Sequence, residues 1–520
     1  MKTRHRFYAL AVAGTLALAS QAQTSYNAGL LMEQQLRGTA RFVGMGGAMS
    51  ALGGDLSTMS TNPAGIGLYR SSDVALTMDW GNPIAKSEFN GETHKTNYSK
   101  FSLDQAGFVY SSKLGNRTTV RFLNFGFNYR RVSNLNSNFA MGGVFANGES
   151  FSHNIRANML EAGNTAADFN KVLNGPGDPY NNENYSWLSI MGGKTGYVMG
   201  DEENQDFTAW NADYTGFRSE NRGGIDAYDF NVALNIKDRV YLGFTLGVYD
   251  VDFNRYSCFY EDVYNGALTD EVPTMLLENW YSLEGTGLDA KFGIIVRPFE
   301  YSPFRLGFSV HTPVWYDLSD TYEASMSMLG FHGKDWQSGT GFLDWYDYRL
   351  RTPWKFNVSA AYTFGQDVAV NAEYEYADYS SAKFSDIDGY DLEFSNQTVK
   401  EDLKGVSSFR VGLETRLLES LSLRFGYNYT SALYDKNAYK YDAPQSTQTD
   451  VEFMNNFDSH NASVGLGFRL GGFYADVAYV YTHQKAEFHP YSNLILGEAD
   501  SLSKVTTVNN RAVLTLGYRF

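Results

Sequence analysis

The chain has 520 residues, a formal net charge of −16, a single cysteine, and 37 Tyr, 36 Phe and 50 Gly. A lone Cys258 excludes an internal disulfide and a thiolate-rich metal site, and an acidic chain without a basic, aromatic-interleaved stripe excludes nucleic acid as a partner. Beyond the N-terminus no run of about 18 apolar residues occurs, which excludes helical membrane spans. Aromatics at 16% with charged residues at 19% fit apolar side chains that alternate with polar ones in strands.

The chain opens on Lys2, Arg4 and Arg6, an apolar run from Phe7 to Ala19, and Ser20-Gln21-Ala22, the pattern of a signal peptide over 1–22 cleaved after Ala22. The rest of the sequence is organised around residues 37–70, which have neither strand nor helix periodicity. Eight glycines let this stretch approach other surfaces closely, and Met45, Met49 and Met59 fill gaps between them. Such a segment builds no core of its own, so residues 23–71 are expected to form a compact hatch inside the lumen of a barrel.

From Asp73 onward, period-2 segments recur near 72–80, 101–111, 119–130, 226–237, 240–250, 283–297, 303–315, 349–364, 367–378, 407–417, 421–430, 460–470, 472–483 and 508–520. Each has the length that a tilted membrane strand needs, roughly 9 to 11 residues. In 407–417, Phe409, Val411, Leu413 and Leu417 share one face, with Arg410, Glu414 and Arg416 opposite. The connections alternate long and short, the asymmetry of outer-membrane barrels, with 131–225 the longest. The fold expected is therefore all-β: a transmembrane antiparallel barrel of about fourteen strands over 72–520, closed by the N-terminal hatch. With both ends of the barrel on its short-turn side, the hatch is expected to begin in the periplasm and enter the lumen from below. The last strand alternates Leu514, Leu516, Tyr518 and Phe520 with Val513, Thr515, Gly517 and Arg519.

Two parts of the sequence carry a family likeness. ARFVGMGGA followed by TNPAGI in the hatch, and RTPWKFNVSAAYTFG (351–365), EYEYADYSSAKF (373–384), SSFRVGLETRLLESLSLRFGYNY (407–429) and the final VLTLGYRF in the barrel, resemble the FadL-type outer-membrane transporters, which include toluene-transport proteins. The Tyr- and Asn-rich loops resemble those of members from the Bacteroidota. The resemblance implies a protein of the outer membrane that moves hydrophobic small molecules, long-chain fatty acids first among them, by capture at the loops, a lumenal pocket and lateral release into the bilayer, without a cofactor. It also implies that Phe520 serves as the signal read by the barrel-assembly machinery, and that outer-membrane lipids surround the wall.

Within that frame Gly44, Gly46, Gly47, Asn62, Pro63, Ala64 and Gly65 are the hatch motif, whose movement the resemblance ties to ligand release; their structural alternative is anchorage of the hatch to the wall. The resemblance places a lateral gap at the third strand, where Asn124 and Gly126 face inward and Gly126 relaxes pairing. Arg410, Arg416 and Arg424 are candidate clamps for a ligand carboxylate, because Arg offers bidentate recognition; the alternative is pairing with lumenal carboxylates. No catalytic residues are expected: His311, His332, His483 and His489 lie in no nucleophile context, and no metal site is assigned. Relatives that serve as docking barrels for protein secretion, or as haemin receptors, supply the alternative functions.

Overall fold

The computed structural model describes residues 23–144, 150–264, 272–340, 344–441, 445–492 and 502–520; the expected signal peptide lies outside them. The hatch comes first. Helix α1 (Ser25–Met32) and the short helix α2 (Ala40–Gly44) are followed by 3-10 turns at Leu56–Met59 and Pro63–Leu68. Hydroxyl, carboxylate and amide oxygens cap the N-termini of the last three: Thr39, Asp55 and Asn62 accept from Phe42 N, Ser57 N and Ala64 N.

Fourteen antiparallel strands form the wall: β1 (Asp73–Phe89), β2 (Lys100–Lys113), β3 (Val120–Asn134), β4 (Asn211–Ile236), β5 (Val240–Tyr264), β6 (Thr274–Val296), β7 (Arg305–His311), β8 (Lys355–Phe364), β9 (Val368–Asp378), β10 (Gly405–Leu418), β11 (Leu421–Thr430), β12 (Phe453–Leu470), β13 (Phe473–His489) and β14 (Ser503–Arg519). Each pairs with its sequence neighbours, and β1 pairs with β14 from Asp73↔Arg519 to Glu88↔Lys504, which closes the ring. Closure leaves the ring without a free edge strand, the condition for crossing hydrocarbon. All fourteen expected strands occur.

The alternation sets the two faces. On β8, Phe356 and Val358 are exposed while Asn357 and Ser359 are buried; on β10, Phe409 and Val411 are exposed while Arg410 is buried. Exposed aromatic and aliphatic side chains of this kind continue around the wall to Leu516, Tyr518 and Phe520, forming the apolar band of a transmembrane barrel.

Several strands run well past the spans read from sequence. β4, β5 and β6 contain 26, 25 and 23 residues, so much of 251–282, expected as loop, is sheet standing outside the bilayer. Backbone groups there keep strand partners because a neighbouring hairpin is already extended beside them. Two spans are broken instead. β7 stops at His311 and the chain resumes pairing as Trp315–Phe331, while Asp344–Arg351 is separated from β8. Pro313 and Pro353 lie in these breaks, and neither has an N–H for the ladder.

The long insertion folds into a cap over the external mouth. Ser137–Val144 leads into helices α3 (Phe151–Glu161), α4 (Ala166–Asn174) and α5 (Trp187–Thr195), capped by the side chains of Ser150, Thr165 and Ser186. Phe151, Ile155, Phe169, Leu188 and Met191 share a core with wall residues Phe217, Phe259, Met275 and Phe488.

The hatch runs opposite to the expected direction. Its first residues lie at the external end, where α1 packs on helix α6 (Glu393–Asp402) of a long external loop and Ser25 Oγ donates to Asp402 Oδ2 at 2.7 Å. The chain then descends through the lumen and reaches the short-turn rim at Ser72, whose N–H donates to Phe520 O at 3.0 Å. Sequence parity fixed the rim where the hatch ends. It carried no information about where the hatch starts.

Candidate functional site

The lower hatch is seated on a strip of inward-facing wall glycines. An added Cβ on Gly426 would lie 1.9 Å from Gly46 N, and one on Gly412 2.5 Å from Met45 O. Gly44 faces Gly465 in the same way, and Gly47 packs against Leu36. The second half of the motif rests on β5 and β6: a Cβ on Gly243 would meet the Pro63 carbonyl carbon at 2.2 Å, and one on Gly293 would meet Asn62 Oδ1 at 2.0 Å. Asn62 Oδ1 accepts from Ala64 N at 3.2 Å and Gly65 packs on Thr58, so NPAG forms a capped turn pressed flat on the wall. His311 Nε2 and Ser309 Oγ both reach Thr61 O, at 2.9 and 2.6 Å.

The candidate arginines are committed to carboxylates or lie elsewhere. Arg410 donates to Glu373 at 2.6 Å, to Glu375 at 3.3 Å and to the hatch residue Gln34 at 3.2 Å. Arg424 donates to Glu414 and Asp476, each at 2.6 Å, and Glu414 also accepts two bonds from Arg41 of α2. Arg416 is exposed near the short turn after β10. Pairing is the physical outcome expected for charges packed this closely, because an unpaired one costs several kcal/mol, roughly.

Gly126 is not at a gap. β2 and β3 pair without interruption from Gln105↔Arg130 to Lys113↔Phe122, with Val109 opposite Gly126 and Ser111 opposite Asn124. Gly126 leaves room for Met59, whose Cε would lie 2.2 Å from an added Cβ, and Asn124 Nδ2 donates to Ile66 O and Tyr69 O. Both residues hold the hatch. Higher up the two strands part: above Gln105 and Arg130, residues 100–103 pair only with β1, and 131, 133 and 134 only with β4. Bulges at Asp104 and Val132 turn the two strands at that level. Higher still the wall rejoins through Thr96 Oγ1 donating to Asn138 O and Ser87 Oγ to Ala140 O. The result is a window, with exposed Phe101 and Leu103 on its bilayer side.

The hatch linker closes the window from within. Gln35 Nε2 donates to Asn134 O at 3.1 Å and Asn134 N donates to Gln35 Oε1 at 3.0 Å, so one side-chain amide takes the place of a missing strand partner. Arg37 forms an ion pair with Asp104, and Arg511 bonds Asp79, Asp104 and the Leu36 carbonyl. Lys100 Nζ donates to Asn136 Oδ1 across the opening at 3.0 Å.

Behind the window lies an internal cavity of about 440 Å³. Phe139, Phe217 and Phe488 of the cap core roof it; Tyr26, Tyr281, Leu433 and Phe453 form its side; Leu36, Arg37 and Arg511 form its floor. Tyr26 stacks on Tyr434 at 4.9 Å and lies 5.3 Å from Phe453. Sequence reading missed this site because its residues come from the hatch linker, the cap and strands far apart in the chain. The signal that was available concerned the wall: glycines in the inward phase of several strands mark where the hatch backbone lies.

No protein-family model matches the chain, and no curated protein matches its sequence. Solved structures do match. The toluene transporter TodX of Pseudomonas putida aligns over 94% of this chain and 99% of its own at 12% identity, TM-score 0.51. A FadL homologue of Pseudomonas aeruginosa aligns over the same shares at 11% identity, TM-score 0.51, and a TodX deltaS2 mutant, described as a monoaromatic hydrocarbon channel, aligns over 93% and 98% at 12% identity, TM-score 0.53. The chain thus has the fold of the FadL/TodX-type transporters, a fourteen-stranded transmembrane barrel closed by an N-terminal hatch.

Proposed function

We propose that this protein carries hydrophobic small molecules across the outer membrane by diffusion: a molecule enters under the cap, rests in the cavity and leaves sideways through the window into the bilayer. The observation that supports the reading best is the continuity of an aromatic-sided cavity with a break in the wall that the linker Gln35–Arg37 covers from within. The fold shared with hydrocarbon and FadL-type channels points the same way. Water-filled porin conduction does not suit it, because the hatch fills the lumen beneath the cavity. In this reading the hatch motif is an anchor against which the linker moves, and lumenal Arg410 and Arg424 fasten that anchor rather than the ligand. Phe520 at the short-turn rim, exposed beside Tyr518, presents the terminal aromatic for the assembly machinery.

The test is uptake of radiolabelled apolar solutes (toluene, decane, a long-chain fatty acid) by cells with and without the protein, paired with mass spectrometry of organic extracts of protein purified in mild detergent. Faster uptake and a stoichiometric apolar molecule are expected. Equal uptake in both strains would overturn transport and leave a docking barrel, with its folded external cap, as the better account.

A further inference from the structure

The cavity is not uniformly apolar: among the described residues that line it, one carboxylate has no cationic partner. Glu33, the residue that ends α1, lines the cavity and is exposed to it, although the barrel surrounds it on all sides. Both its oxygens accept from Asn456 Nδ2 at 3.2 Å, and Oε1 accepts from Gln484 Nε2 at 3.2 Å. Neither donor is a cation. The other acidic groups of the cavity are neutralised in place, Glu452 by Arg255 and Asp450 by Lys440 at 3.0 Å. We propose, on the reading that this cavity is the transport site, that it binds an apolar molecule bearing a protonated amine, with the ammonium on Glu33 and the hydrocarbon along Tyr26, Tyr434 and Phe453.

The chemistry supports that choice over a fatty acid. A carboxylate held inside the barrel by two neutral amides gains most from a charge-assisted donor. Burial without a nearby cation pushes the Glu33 carboxyl up, and burial with the Glu33 charge pushes the Tyr434 phenol up, which places that ring within electrostatic reach. An ammonium between a carboxylate and aromatic rings also gains cation–π attraction. A fatty-acid head at the same spot meets repulsion. Lys100, the cavity-lining cation without a carboxylate among the described residues, lies at the window and is held by Asn136.

Binding of decylamine, decanol and decanoate to the full protein in non-ionic detergent, read by native mass spectrometry and by tyrosine fluorescence, tests this. Decylamine is expected to bind at least about tenfold tighter than decanoate, the ratio that one charge-assisted bond supplies. Lowering the pH protonates Glu33 and is expected to abolish the preference in the unmodified protein, with decanol unaffected. Glu33→Gln, which keeps an acceptor for Asn456, is expected to lose the amine preference while decanol binding persists. Equal binding of all three, a preference for decanoate, or an amine preference that survives both acid and Glu33→Gln would overturn the assignment while leaving apolar transport standing. Failure of all three to bind would overturn the transport reading itself.

Discussion

Gly46 and Gly426 meet backbone to backbone, and Gly46 does so at φ +65°, a conformation that costs other residues strain. A Gly426→Val substitution therefore has no rotamer that keeps the hatch in place. We expect it to release α2 and its glycine turn from β11 at a cost of about 1–3 kcal/mol, with faster protease cleavage within residues 37–70 and an intact barrel by its heat-modifiable mobility on gels. Unchanged cleavage would show that the glycine strip does not hold the hatch. Arg37 makes the opposite case, a side chain that crosses from linker to wall. Arg37→Ala leaves Asp104 with Arg511 alone, a loss smaller than the roughly 3–5 kcal/mol of a buried charge left without any partner, and loosens the cover of the window. Uptake of apolar solutes is expected to rise several-fold; a fall would place the exit elsewhere. Among single residues the NPAG motif stood out in sequence because proline and glycine act on the backbone locally, whereas its Asn62 cap came from the structure. Arg410 and Arg424 were legible as lumenal, and their partners followed only once strands distant in sequence were paired.

Helix α1 is the element that couples the hatch to the outside. It is tied to α6 through Ser25 and Asp402, and burial pushes the Asp402 carboxyl up to about 6, against the lowering effect of the Ser25 hydroxyl bond. A carboxyl raised in the folded state binds its proton more tightly there than in the unfolded chain, whose value is about 3.9. Its contribution is thus complete in acid below that value and is lost as the pH climbs to about 6. Amide hydrogen exchange of residues 25–32, corrected for intrinsic rates, is expected to be slower at pH 4.5 than at pH 7, roughly in line with this shift. Asp402→Asn should flatten the dependence at the slow rate. An equally pH-dependent Asn variant would assign the effect to another group. The strand elements themselves were legible throughout, since period-2 alternation is carried by each strand alone. Their external extensions were not, because once a strand leaves the bilayer its outer face no longer has to be apolar. Pro313 and Pro353 are visible in the sequence, but the apolar phase resumes on the far side of each and hides the breaks.

At the scale of the whole molecule, wall and hatch obey different rules. The wall is held by a closed ring of paired strands, whereas the hatch is held by glycine contacts and by ion pairs such as Arg41–Glu414 at 2.8 Å. Deleting residues 23–71 while retaining the export signal is therefore expected to give a barrel that still assembles and resists unfolding by detergent, with planar-bilayer conductance rising from near zero to porin-like values. Loss of the heat-modifiable band would show that the hatch is needed to fold the ring. What the sequence by itself determined was the class of fold, the count of strands, the lipid and lumenal faces, the side of the short turns and the presence of a plug, all properties written in short-range alternation, loop length and glycine content. Only the tertiary structure decided which way the hatch runs, where the wall opens and which carboxylate is left without a cation in the cavity. Each of these depends on which residues hundreds of positions apart share a contact, and the local pattern of a strand or turn is the same whichever partner it meets.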